Sequence, residues 1–336
     1  MSSMPRPLRI QYPGAIYHVM ARGNQGRAIF KDEQDRKRFL DTLQESSEKT
    51  GWRIHAYVLM DNHYHLLLET PEANLVAGMK WLQGTYTQRY NGRHEVFGHL
   101  FQGRYKAVVV NNQPNYLQFV STYIHLNPAR AGLIRIGQEK LKSYRWSSYP
   151  SYLSSNCPQW LSRDKVLGSL GLSERESEGF EAYTEGRVLE LATKAGKLEL
   201  EEQWKALRRG WYVGGRTFGS KLEKWLDQAV KGRKRESQSG AAKEAHDQAA
   251  AERLLMKGLH TLGLKEQDLS DLPKGAPEKV ALAWWLRGRT TVPLLWVTER
   301  LHMGHYTRVT QAISRMKREP GRKLKPLRDR LLKLKN

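Results

Sequence analysis

The sequence predicts an α+β fold whose front part is a ferredoxin-like, split βαβ unit, an antiparallel sheet with helices on one face. Two observations predict it. The hydrophobic pattern of the front part switches repeatedly between a period of about two and one of about 3.6. Turn residues mark the switches and leave the order strand, helix, strand, strand, helix, strand, then one more helix.

Residues 16–22 (IYHVMAR) read as the first strand, closed by the turn-rich GNQG at 23–26. Asp32 is placed to cap a helix through Phe39, Leu40 and Leu43 that stops near Gly51. Residues 52–59 (WRIHAYVL) and 63–69 (HYHLLLE), joined by Asp61 and Asn62, read as a hairpin. Leu75, Met79, Leu82 and Tyr86 recur at helical spacing over 73–90, with Asn91-Gly92 as the expected stop. Residues 105–110 (YKAVVV) form the fourth strand. Pro114 opens a further helix and Pro128 closes it.

Behind this front unit (1–155), residues 147–157 look like a domain edge, rich in Ser, Tyr and Pro. A mainly helical middle segment (156–230) follows, interrupted by GWYVGG at 210–215, with Trp204, Trp211 and Trp225 read as core. Residues 231–250 read as a polar linker or exposed helix, 251–318 as a third unit and 319–336 as a basic tail.

Of 336 residues, 56 are Lys or Arg and 34 are Asp or Glu, a formal net charge of +22. Such an excess favours a polyanionic partner. No run reaches the roughly 18 apolar residues of a spanning helix, so nucleic acid is expected rather than a membrane. The opening MSSMPRPLRIQYPG lacks the apolar stretch of a secretory leader, and one cysteine, Cys157, excludes an internal disulfide and any multi-cysteine zinc site. A cytoplasmic, nucleoid-associated protein is the expectation.

Alternation along 63–69 puts His63 and His65 on one face and Tyr64, Leu66 and Leu68 on the other. Two neighbouring imidazoles can share one divalent ion, although the same pattern occurs in ordinary strands. On the helix after Pro114, Leu117, Val120 and Ile124 form an apolar stripe, and Tyr123 and Asn127 stand four apart on an adjacent face. A phenol near a cation is a serviceable nucleophile, and the Asn127 amide oxygen is a possible third ligand. Helix geometry alone equally allows a core-edge tyrosine and a C-cap asparagine.

MDNHYHLLLE followed by YIHLNPARAGL resembles the REP-associated tyrosine transposases of the HUH single-tyrosine superfamily. GAIYHVMARGN, FGHLFQGRYKAVVV and WSSYPSY extend the resemblance over roughly residues 8–155. It implies His63 and His65 as ligands of Mg²⁺ or Mn²⁺, Tyr123 as nucleophile and Asn127 as third ligand, where relatives often carry glutamine. It also implies cleavage of single-stranded DNA beside palindromic repeat hairpins, through a 5′-phosphotyrosine and a free 3′-OH. The protein would act as a monomer or a homodimer. A non-cleaving DNA-binding regulator that keeps the fold is the alternative.

Arg6, Arg9, Arg22 and Arg27 flank the first strand, and Arg89, Arg93, Arg104 and Lys106 the fourth; among them Arg22, Arg104 and Lys106 are the expected phosphate contacts. Trp52, Tyr57 and Phe101 are candidates for stacking on unpaired bases. Near the C-terminus, helices expected over 280–286, 292–301 and 306–317, with Met303-Gly304-His305 as a turn, suggest a helix-turn-helix. The stretch resembles the DNA-binding domain of the bacterial replication initiator protein, which would place His305, Tyr306, Thr307, Arg308 and Gln311 on duplex DNA. The tail beyond Pro320 holds seven Lys or Arg and one Asp, as a phosphate-binding or disordered end.

Overall fold

The computed structural model describes residues 10–205, 207, 210–231, 241–318 and 321–334. Arg6 and Arg9 lie outside them, as does the 232–240 part of the expected linker. The chain divides into two compact units, with the boundary at residues 233–234.

In the first unit the sheet runs in the order β2 (Arg53–Met60), β3 (His63–Thr70), β1 (Ala15–Arg22), β4 (Lys106–Val110), β5 (Tyr212–Val213). The first four strands pair antiparallel, in the split βαβ order expected from the sequence, whereas β5 adds in parallel to β4. This last strand was hidden in GWYVGG, where glycine outweighs the short apolar pair.

Helix α1 (Glu33–Thr50) starts as expected: the Asp32 side chain accepts from the Asp35 amide at 3.0 Å. It ends on Gly51 at φ 70°, a left-handed turn open to glycine. Helix α2 (Leu75–His94) runs past the expected stop at Asn91-Gly92. Arg93 and His94 reach back to the start of α1, at 2.8 Å to Asp32 and 2.9 Å to Asp35, and these side-chain contacts offset the weak helix propensity of Gly92.

Helices cover both faces of the sheet. Phe39 of α1 and Tyr86 of α2 pack on one side, where Tyr64 meets Phe39 with ring centres 4.8 Å apart. Helix α3 (Pro114–His125), followed by the short α4 (Asn127–Arg130), lies on the other side, against β2 and β3.

Residues 147–157 are not a domain edge. Leu59 donates its amide to the Trp146 carbonyl at 2.8 Å, and Ser148 to that of Tyr57 at 2.9 Å, so this segment satisfies the open edge of β2. The middle segment likewise belongs to the first unit: Phe180 and Trp204 are buried in the same core as the sheet. Trp211 is 38% exposed and not core, while the side chain of Trp225 lies outside those described.

The second unit comprises helices Ala241–Leu262, Pro277–Arg289, Leu294–Arg300, Tyr306–Lys317 and Lys325–Leu332 around Leu259, Leu282, Trp285, Val297 and Val309. Residues 241–250 are thus helical, and the basic tail contributes a helix with Leu331 buried rather than a loose end. Lys279, wholly buried, donates to the carbonyls of Leu272 at 2.8 Å and His302 at 3.4 Å, fixing the turn before Tyr306. Among the described residues no helix is long and apolar enough to cross a membrane.

Candidate active site

Strand β3 carries His63 and His65 on one face because side chains alternate, and Tyr64 is held on the other by the Gln83 amide at 3.0 Å. The β2–β3 turn that delivers them is tightly tied. Asp61 accepts from the amides of Ile29 (2.9 Å) and Phe30 (3.2 Å) and pairs with Arg36. Asn62 donates its side-chain amide to the Gly26 carbonyl at 3.0 Å, which leaves its oxygen facing the Nδ1 of His63 at 2.8 Å. That oxygen can only accept, so His63 carries its proton on Nδ1 and offers Nε2 as a lone pair.

His65 has a different neighbour. His18 of β1, wholly buried, sets its Nε2 2.9 Å from His65 Nδ1, with the two rings stacked at 5.1 Å. This third imidazole stands in an apolar strand pattern that does not single it out, on the strand paired with β3: Met20 pairs with His65, and His18 with Leu67.

Helix α3 brings Tyr123 to the same face. Its ring stands edge-on to His65 and to His18, each at 5.5 Å between centres. Trp204 backs the phenol at 5.3 Å, and the Arg130 guanidinium lies over both rings at 5.1 Å. Arg130 is fixed by Glu201 at 2.8 Å. Neither Arg130 nor Trp204 was expected here. The arginine sits inside YIHLNPARAGL, yet its direction depends on a glutamate far along the chain.

Asn127 is not brought to the histidines. Its amide nitrogen donates to the Tyr123 carbonyl at 2.8 Å and its oxygen accepts from Arg130 at 3.3 Å. At the end of a helix the last carbonyls lack intrahelical partners, and a side chain as short as asparagine is spent on one of them.

The electrostatics keep all three imidazoles neutral. Burial, aided by the charges of Arg22 and Arg130, pulls His63 down to about 4. Burial and the neighbouring imidazoles hold His65 well below its ordinary value. Burial and the ammonium of Lys106 take His18 to about 3. Neutral imidazole is the ligand form. Among the described residues no group of three His, Cys, Asp or Glu is gathered for a metal ion.

Of the expected phosphate contacts, Arg22 and Arg104 are exposed and Lys106 is half-buried; Arg27 is exposed as well, and Arg22 stands directly across from His63 in the β1–β3 ladder. Arg89 and Arg93 are not available in the same way: the first pairs with Glu45 at 2.8 Å and the second with Asp32 and Asp35. Trp52, Tyr57 and Phe101 are all buried and do not offer a face to a base. Phe97, on the loop between α2 and β4, is instead 100% accessible. That loop is pinned to the histidine end of the sheet: Asn24 donates to the Leu100 carbonyl and Gln102 to that of Arg22, each at 2.8 Å. In the second unit His305, Tyr306, Thr307, Arg308 and Gln311 are all exposed, with His305 capping the helix Tyr306–Lys317.

Comparison with known proteins supplies the context. Residues 11–127 match the family described as transposase, IS200 like. No curated protein matches the chain. A solved structure, described as that of the REP-associated tyrosine transposase bound to a REP hairpin, is 13% identical, with a TM-score of 0.38 over 48% of this chain and 93% of that one. The family match spans residues 11–127, the stretch that holds the first four strands, both strand histidines and Tyr123.

Proposed function

We propose that the first unit is a metal-dependent endonuclease and strand transferase for single-stranded DNA, acting beside palindromic hairpins. One observation carries this reading: Tyr123, delivered by α3, meets His65 of the hairpin at 5.5 Å within a single chain. A fold that only bound DNA needs neither a phenol beside two neutral imidazoles nor the hydrogen bonds that orient them.

The donor set fits a divalent cation of the Mg²⁺ or Mn²⁺ class. Asn62 and His18 occupy the Nδ1 atoms of His63 and His65, so both Nε2 atoms are left for a ligand. Such an ion, when bound, polarises a phosphodiester and steadies it for in-line displacement. Imidazole is softer than Mg²⁺ prefers, which favours Mn²⁺ in vitro. The chain's own part is positional. Tyr123 attacks phosphorus, the bond to the 3′-oxygen breaks, and a 5′-phosphotyrosine and a free 3′-OH result. The proton lost by the phenol is matched by the one the 3′-oxygen gains. One phosphoester replaces another, so the step is nearly isoenergetic and reversible, and strand rejoining needs no nucleotide. Arg22, Arg27 and Arg104 hold backbone phosphates, and Phe97 stacks on an unpaired base.

The second unit is assigned to duplex DNA. This reading is supported by the exposed side chains of Thr307, Arg308 and Gln311, which lie on one helix behind a turn held by Lys279 and would serve as its recognition residues.

A hairpin oligonucleotide incubated with the protein and Mn²⁺ tests the enzymatic reading. A covalent protein–DNA adduct that disappears in Tyr123→Phe supports it. Tight binding without an adduct supports the DNA-binding regulator instead.

A further inference from the structure

His18 is an expensive residue for its position. It is wholly buried in the central strand of the sheet; among the described residues its Nδ1 has no hydrogen-bond partner, and its Nε2 meets another buried imidazole. An aliphatic side chain would fill this space without an unmet polar atom. The cost needs a compensating role, and the geometry of the neighbouring histidine supplies one.

The two strand histidines face the same requirement. Each can give its Nε2 lone pair to a cation only when its own proton sits on Nδ1, and that tautomer is set by whatever Nδ1 touches. For His63 the matter is closed by Asn62, whose amide nitrogen is committed to Gly26 and whose oxygen must therefore face the ring. For His65, among the described residues, the partner at Nδ1 is His18 Nε2, at 2.9 Å.

We propose that His18 is the positioning residue for His65: its Nε2 accepts the Nδ1 proton of His65 and so turns the Nε2 lone pair of His65 toward the cation site. The same ring stands edge-on to Tyr123 at 5.5 Å, so one side chain spaces the ligand and the nucleophile. No proton leaves the pair and none is gained. His18 carries its own proton on Nδ1, and ligation of His65 is what repays leaving that N–H unmet. This inference rests on the metal-dependent reading above.

Two measurements test it. Imidazole nitrogen NMR on the metal-free, full-length protein should show His65 protonated on Nδ1, and His18→Phe, which keeps a ring of similar volume but removes the acceptor, should release it toward the other tautomer. Mn²⁺ affinity, followed by electron paramagnetic resonance, should fall about 10- to 100-fold in His18→Phe. It should recover largely in His18→Gln, whose amide oxygen reaches the place of Nε2. A His65 protonated on Nε2 in the wild type overturns the proposal, and so does Mn²⁺ binding unchanged in a folded His18→Phe. Equal loss in the Phe and Gln variants reduces His18 to a packing role and overturns it too. Failure of the metal reading looks different: the wild type would bind no Mn²⁺, or His63→Ala would bind as tightly as wild type. The NMR result then still decides the state of the pair.

Discussion

The phenol of Tyr123 stands edge-on to the imidazole of His65 with ring centres 5.5 Å apart, although the two belong to different elements on the same side of the sheet. Trp204 and Arg130 hold the phenol from behind. Binding, cutting and stability should therefore separate on substitution.

Tyr123→Phe removes one oxygen from a ring fixed by its neighbours. Cleavage of a hairpin substrate should fall by more than about 10³-fold, to the level without protein. Affinity for the same DNA and the melting temperature should stay close to wild type, as read by fluorescence anisotropy and by calorimetry. A variant that still forms an adduct would move the nucleophile elsewhere.

Phe97 contributes nothing to the core, being fully exposed, so Phe97→Ala should leave the melting temperature alone. Loss of one stacked base is worth about 1–3 kcal/mol, and single-stranded DNA should bind roughly 5- to 150-fold more weakly. Phe97→Trp should bind at least as tightly as wild type. A binding isotherm for Phe97→Ala that overlays the wild-type one removes this contact.

The pH dependence of stability follows from His125. Its Nε2 lies 2.8 Å from the Ser148 hydroxyl among the rings of Tyr149, Tyr152 and Phe180, and burial pushes it down to about 3. The unfolded chain takes up this proton as pH falls through about 6.5, whereas the folded chain does not until about 3. Between those values the unfolded state binds more protons. The stability is thus fully present above about pH 6.5 and lost as the solution is acidified, at up to about 1.4 kcal/mol per pH unit for one group. Urea unfolding at several pH values should show this slope, shallower in His125→Phe.

Trp204→Ala opens a cavity in the core of the first unit and should cost about 3–5 kcal/mol. It also removes the wall behind Tyr123, so the rate of adduct formation should drop more than DNA affinity does. Rates measured well below the variant's melting temperature, with DNA saturating, check this.

What the sequence disclosed follows a physical boundary. Strand periodicity, the Asp32 cap and the Gly51 stop are local, and they read correctly. Exposure and partner choice are not local. Phe97 and Phe101 are alike on paper, yet only the second turns inward, where it forms a bridge with Gly23. Arg89 and Arg93 look as free as Arg104 until Glu45, Asp32 and Asp35 arrive from another helix. The spacing of Asn127 from Tyr123 suggests a ligand, but the Tyr123 carbonyl and Arg130 claim its amide. His18 carries no mark in IYHVMAR, because its meaning comes from the strand beside it.

The parallel pairing of β5 with β4 bears on how the protein can be shortened. A fragment trimmed to the transposase-like stretch would keep both strand histidines and the tyrosine while stripping one rim of the sheet. The backbone amides of Val109 and Asn111, which donate to the Trp211 and Val213 carbonyls, would lose those partners and invite a second molecule to dock there, so such a fragment should aggregate more readily than the full chain. A truncated form that keeps this edge covered has to retain the chain at least as far as Val213.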